Sequence, residues 1–381
     1  MTSFDAAVVG AGSFGAWTAW HLRRAGLSVA LVDAYGPGNS RSSSGGESRL
    51  IRMGYGADEL YTRWAVRSVG AWKELSARAE PPVFHPTGVL WLGQAENAYM
   101  EATLAALHRA SVPNESLERG ELARRYPQIE LGPIGWGILE PESGVLLARR
   151  AVQVVAGEAR HAGVEIVEEA VTAPPRRGRL DSITLSSGRR LSAEVFVFAC
   201  GPWMGRLFPD HLGSRIFPTR QEVFYFGPAA GDGRFRPPQM PAWLDVTEER
   251  YGVPDLEARG FKLASDVHGP PFDPDAGERA ATAAGIAAAR EYLGRRFPAL
   301  RETPLLSAEV CQYENTSNGD FLIDRHPDMP NVWLVGGGSG HGFKHGPAVG
   351  EYVTDLVSRG GEVERRFRLK TKATLQKRMV H

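Results

Sequence analysis

Gly10-Ala11-Gly12-Ser13-Phe14-Gly15 follows the apolar run Ala6 to Val9 and opens a stretch, Phe14 to Ala25, whose apolar residues recur with helical spacing up to Gly26. A second apolar run, Ser28 to Val32, ends in Asp33. This context gives the hexapeptide its meaning, because a lone G-x-G-x-x-G is a common turn. Gly10 permits the tight turn, Gly12 lets the backbone approach a pyrophosphate, and Gly15 allows the helix to pack closely. The helix start, at Ser13 and Phe14, aims free N–H groups and the positive end of its dipole at phosphates. Asp33, at the tip of the second strand, is placed to accept hydrogen bonds from a ribose diol. The unit predicts a dinucleotide-binding α/β start with a right-handed crossover. By itself it does not separate a nicotinamide from a flavin nucleotide.

Further along, Val164 to Val167, Val195 to Ala199 and Val332 to Val335 read as buried parallel strands, and Ala348 to Val357 as a helix. Gly88 to Leu92 and Glu222 to Phe226 carry the aromatic and β-branched residues of antiparallel strands. Arg279 to Phe297 reads as an amphipathic helix ended by Pro298. The expectation is an α/β protein in which a Rossmann-like nucleotide-binding domain (1–85, 145–217 and 305–381) is interleaved with a mainly antiparallel β-sheet substrate domain (86–144 and 218–304). The basic stretch Arg365 to Arg378 is expected to be a solvated tail.

The 381 residues are 43% hydrophobic and 23% charged, enough for two domains sharing a large core. Forty-four basic side chains balance 44 acidic ones, so bulk charge favours neither nucleic acid nor an anionic membrane, and a small molecule is the expected partner. Two cysteines, Cys200 and Cys311, are too few for a disulfide framework or a zinc site and fit a reducing cytoplasm. No targeting segment is evident from Met1 onward, and no apolar run approaches the roughly 18 residues of a membrane span. A cytoplasmic monomer or small homo-oligomer is expected.

Val335-Gly336-Gly337-Gly338-Ser339-Gly340-His341-Gly342-Phe343-Lys344 is a second strand-to-glycine-to-helix junction. Such a junction can aim a helix start at the pyrimidine end of an isoalloxazine ring, where negative charge collects on reduction. Together with the first fingerprint, Ser44-Gly45-Gly46-Glu47-Ser48-Arg49-Leu50-Ile51-Arg52, Gly201-Pro202-Trp203, and Cys311-Gln312-Tyr313 leading to Phe321-Leu322-Ile323-Asp324, it resembles the monomeric sarcosine oxidase family of FAD-dependent amine oxidases. The motifs occur in the same order over nearly the whole chain. The resemblance implies an FAD-binding Rossmann-like domain, with FAD joined to Cys311 by a thioether to its 8α carbon. It further implies cofactor contacts from Ala34, Ser42, Ser48, Val171, Gly201, Trp203, Gly340, His341, Gly342, Phe343 and Lys344. Cys200, in an apolar strand, reads as an inert buried thiol.

Arg suits a planar carboxylate because its fork donates two parallel hydrogen bonds, and the three-residue spacing of Arg49 and Arg52 puts both on one side if the segment is helical. By resemblance Arg52 and Lys344 hold a substrate carboxylate, Arg49 lies beside the flavin, Lys262 activates oxygen, and Tyr251 and Tyr313 line the pocket. Two positions depart from the family. Gly45 and, by ungapped counting, Asp266 stand where its sarcosine-preferring members have histidine, with His268 two residues beyond. The glycine is expected to make room, and the acid to welcome a cation or repel a carboxylate.

The expected reaction is oxidation of a secondary amine of an N-methyl or cyclic amino acid to an imine, with O2 reduced to hydrogen peroxide. A dehydrogenase passing electrons to a partner and a flavin-binding subunit without a substrate remain open alternatives.

Overall fold

The computed structural model describes residues 3–376. Ser3–Val9 lies at the heart of a seven-stranded sheet, parallel to Val29–Val32 on one side and to Arg190–Phe198 on the other. Glu165–Val167 and Val332–Gly336 extend it as further parallel strands, and Leu322–Arg325 closes one edge antiparallel. Strands buried on both faces need apolar side chains at every position, which is why these segments read as unbroken runs. Ala6, Val8, Leu31 and Val197 feed one core while Ala7, Val9, Ala30, Phe196 and Phe198 feed the opposite one, the two-residue period of a strand.

On the first face, Ser13–Arg24 packs between Ala148–His161 and Gly346–Arg359. Gly346 and Gly350 occupy one side of the last helix, four residues apart. An added Cβ at Gly350 would come within 2.6 Å of the Trp17 carbonyl carbon, and one at Gly346 would overlap Ser13 Oγ. The helix at the far end of the chain therefore lies directly on the first helix.

The second layer is an eight-stranded sheet that runs, edge to edge, Leu305–Asn315, Phe217–Phe226, Phe261–Ser265, Arg250–Val253, Ala242–Asp245, Val89–Gly93, Trp136–Glu140, Glu115–Glu118. All pairs are antiparallel except Val89–Gly93 with Ala242–Asp245. This joint unites two stretches of chain separated by a return through the other layer, and a parallel pair requires such a crossover. A small sheet of Arg49–Ile51, Gly144–Leu146 and Phe84–His85 links the layers. Among the described residues no helix is long and apolar enough to cross a membrane.

Four expectations change. Gly88 to Leu92 is antiparallel on one flank only. Leu305–Asn315 pairs along Phe217–Phe226 in the larger sheet, although the reading by residue number placed it with the nucleotide-binding layer. The helix expected from Arg279 is Ala283–Arg296, because Thr282 Oγ1 accepts from Gly285 N and caps it there. The basic tail is not solvated as far as Lys372. Phe367 is fully buried, Arg366 forks onto Asp58, and the buried Lys372 donates to Asn318 Oδ1 and to the carbonyls of Asp320 and Arg366. Arg366 and Lys372 thus have partners that replace water, while Arg365 and Lys370 stay exposed. Lys377 and Arg378 lie outside the described residues.

Two glycine-to-alanine changes test the helix contact. Gly350→Ala overpacks it and lowers stability by about 1–3 kcal/mol. Gly157→Ala, in Ala148–His161 with no atom within 4 Å of the new Cβ, raises it by about 0.5–1 kcal/mol through helix propensity. Urea midpoints of the two variants should move in opposite directions; movement in the same direction contradicts the close-packed contact.

Candidate functional site

The two glycine junctions meet. Ser13 Oγ donates to the Phe343 carbonyl at 2.8 Å, and a Cβ at Gly342 would sit 2.9 Å from Phe14 Cζ. Between them opens a cavity of about 340 Å³. Its wall includes Gly10, Gly12, Ser13, Phe14, Asp33, Ala34, Ser42, Arg49, Val171, Gly201, Trp203, Tyr313, Gly340, Gly342 and Phe343. Its size falls within the usual range of small-molecule pockets.

Gly10, at φ +103°, turns so close to the chain that a Cβ would overlap the Ala199 carbonyl oxygen. Gly15 does not line the cavity; a Cβ there would overlap the Gly10 carbonyl oxygen, so its service is to helix packing. The first helix has no acid in its first turn, and although Ser44 Oγ accepts from Ser13 N at 3.0 Å, no charge offsets its dipole, so its N-terminal end stays electropositive. Asp33 accepts from Ala11 N at 2.7 Å and Tyr35 N at 2.9 Å, so it braces the turn while its side chain borders the cavity. Burial raises its pKa, against those backbone donors.

The residues present fit FAD. Glycines keep the approach to the first helix end open, and an unbroken cavity joins both junctions. The Ser43 hydroxyl, on its wall, is buried with no partner among the described residues. FAD would rest its phosphates against Gly10 to Phe14 and its ring toward Gly340.

A smaller cavity of about 60 Å³ adjoins the larger through Arg49, Tyr313, Gly340 and Phe343. Arg52, Tyr251, Asp266, His268, His341 and Lys344 complete its polar wall. Arg49 belongs to a strand and Arg52 follows its end, so it is this strand end, and not a helix face, that brings them to one cavity. Burial works against the charge on Arg49, but Cys311 and the phenols of Tyr251 and Tyr313 outweigh it and raise its pKa. Its Nη2 donates to Ser43 O at 2.8 Å and stands 3.1 Å from Cys311 Sγ.

Arg52 is sandwiched 4.6 Å from the Tyr55 ring and 4.8 Å from Trp91. Behind it the fully buried Glu140 accepts from Met53 N, Gly54 N and Trp91 Nε1 at 2.7, 3.1 and 2.8 Å. Lys344 Nζ donates to His341 O at 3.1 Å, and burial together with Arg52 drives its pKa well down. Burial raises Asp266, while Arg52 and Lys344 draw it back. His341 donates from Nε2 to Gly319 O at 3.1 Å, since a carbonyl only accepts, and so offers Nδ1 to the Tyr55 hydroxyl at 3.2 Å.

Besides Gly15, three expected site residues lie off the cavity walls. Cys311 is half-buried, with its neighbours Gln312 and Tyr313 on the wall. Ser48 and Lys262 sit behind, Lys262 Nζ donating to Ser48 O at 2.8 Å and lying 5.5 Å from the Tyr251 ring. Burial, then Arg49, bring Lys262 down to about 7. Gly45 makes no room in either cavity, because a Cβ there would overlap the Asn39 carbonyl oxygen; tight backbone contact demands the glycine. Both Asp266 and His268 reach the smaller cavity, and His268 Nδ1 accepts from Gln376 at 2.7 Å. Cys200 is half-buried on the wall of the larger cavity, with its sulfur on the Val9 carbonyl, and desolvation raises its thiol far above the usual range. Glu140 and Tyr55 escape a sequence reading, since neither belongs to a motif.

The FAD dependent oxidoreductase family matches residues 5–356. Peroxisomal sarcosine oxidase of Homo sapiens is 31% identical over 362 residues, covering 93% of this chain and 92% of that protein. Monomeric sarcosine oxidase of Bacillus sp. (strain NS-129) is 30% identical, covering 94% of each, and N-methyl-L-tryptophan oxidase of Salmonella arizonae is 30% identical, covering 93% and 94%. Among solved structures, L-proline dehydrogenase from P. horikoshii superposes with a TM-score of 0.83 at 20% identity, over 94% of both chains, a likeness of fold. With its two glycine junctions closing on one cavity and with 30–31% identity to these relatives over nearly its whole length, the chain belongs to the monomeric sarcosine oxidase family of FAD-dependent amine oxidases.

Proposed function

We propose that the protein oxidises the secondary amine of an N-methyl or cyclic amino acid to an imine, with O2 as acceptor and hydrogen peroxide as product. The observation that carries this reading is the smaller cavity, where Arg52 and Lys344 stand opposite the carboxyl of Asp266 beside the flavin-sized space. FAD, when bound, supplies the electron sink. The relatives named for sarcosine and N-methyl-L-tryptophan support a secondary amine next to a carboxylate.

In this reading Arg52 and Lys344 hold the carboxylate, and the stacking of Arg52 between Tyr55 and Trp91 aims it. Fixing one end of a small substrate removes rotational freedom, from which much of the rate gain comes. Asp266 faces the ammonium and takes its proton, leaving the neutral amine that can be oxidised. Tyr251 and Tyr313 exclude water, and Arg49 balances negative charge on the ring side. Lys262 supplies the cation that favours reduction of O2. The chain divides into an FAD-binding domain built on the seven-stranded sheet and a substrate domain built on the eight-stranded one. Cys311 carries the flavin covalently, its sulfur bonded to the 8α carbon.

Arg52→Ala or Lys344→Ala should raise KM for N-methyl amino acids by about 10–100-fold, the loss of one charged hydrogen bond, with a smaller change in kcat. An unchanged KM removes that residue from the clamp.

Lys262 is cationic below its pKa of about 7 and neutral above it. Reoxidation of the reduced protein by O2 should therefore be fast at pH 6 and slow as pH rises through 7. Lys262→Met should slow it by roughly 100-fold and flatten the profile. Stopped-flow traces that ignore pH remove Lys262 from this role, and amine consumed in air without peroxide defeats the oxidase assignment.

After acid precipitation the yellow colour should stay with the wild-type polypeptide and pass to the supernatant for Cys311→Ala. Colour in the wild-type supernatant rules out the covalent link.

A further inference from the structure

Glu314 follows Tyr313 on the strand Leu305–Asn315 and borders the larger cavity, 7% exposed. Its Oε1 is buried with no hydrogen-bond partner among the described residues. The carboxyl lies against Gly336, where an added Cβ would overlap Oε1, and the amides of Gly337 and Gly338 face it. Cys200 lies near it, with its sulfur on the carbonyl of Val9, the residue before the first glycine turn. Burial brings the Glu314 carboxyl up to about 7 against the pull of the two amides. A buried carboxyl oxygen without a partner is costly, so such groups are rare unless a ligand completes them.

The position selects the ligand group. Glu314 stands between the turn at Gly10 and the turn at Gly340, and in the FAD reading, on which this inference rests, phosphates occupy the first and the ring the second. A pyrophosphate would repel a carboxylate, and the ring's carbonyl oxygens offer it no donor. The segment between them is a polyol, whose hydroxyls can donate to Oε1. We propose that Glu314 is a cofactor-binding residue that accepts a hydrogen bond from a hydroxyl of the ribityl chain of FAD. It gives the cavity a polar anchor midway between its two glycine ends, where the surrounding strand ends are apolar.

The test uses the full chain carrying Cys311→Ala, so that binding is reversible, prepared flavin-free and titrated with FAD by fluorescence and with ADP by calorimetry. Adding Glu314→Ala should weaken FAD about tenfold, the worth of one such hydrogen bond. ADP, which lacks the ribityl chain, should bind as before, and the unfolding temperature of the flavin-free protein should not fall. Glu314→Gln, which keeps a carbonyl oxygen in place, should recover most of the FAD affinity. Glu314→Asp withdraws the carboxyl by one methylene and carries the same test if the alanine chain does not fold. Equal FAD affinity with and without Glu314, or equal loss for FAD and ADP, overturns the assignment. A parent chain that binds no FAD overturns the cofactor reading first, and is seen before any Glu314 variant is made.

Discussion

The contact between the first helix and the last one governs this molecule. Ser13 and Phe343 are 330 residues apart, yet a hydroxyl-to-carbonyl bond and a ring against Gly342 hold their turns together. Gly346 and Gly350 make that approach possible by presenting no side chain to Trp17. Were these helices a side chain farther apart, the cavity would open into two unrelated grooves. One ligand could then no longer bind both ends.

Around the smaller cavity the chain concentrates positive charge where water is scarce. Arg52 and Lys344 are buried, Lys262 is fully so, and Arg49 is half-covered. Buried charge is costly unless paired, and the acids within reach are few, chiefly Asp266 at the wall and Glu140 behind Arg52. The depressed pKa values of Lys262 and Lys344 record that strain. An anionic ligand would relieve it.

The support behind these side chains is as telling as the side chains. Glu140 ties residues 53 and 54 to Trp91, and so sets the sandwich in which Arg52 lies. Lys372 and Arg366 pin this segment to the 318–320 loop and to Asp58, and the Gly319 carbonyl in that loop accepts a hydrogen bond from His341. A terminal segment with every appearance of a charged tail is thus part of the frame around the site. Arg366, Arg368 and Lys372 find backbone carbonyls and acids there in place of water.

By itself the sequence determined what is local or covalent. Unbroken apolar runs ending in glycine specify parallel strands, the spacing of Gly10, Gly12 and Gly15 specifies a phosphate-binding turn, and the ordered motifs specify the family. Tertiary structure decided everything that depends on what comes near from elsewhere in the chain. It showed that Gly45 answers to the Asn39 carbonyl and not to a substrate, that Arg49 and Arg52 share a cavity through a strand end, and that Glu314 is left with an unpaired oxygen. Propensity and periodicity act over a few neighbouring residues, whereas steric exclusion and buried charge are set by contacts hundreds of residues apart.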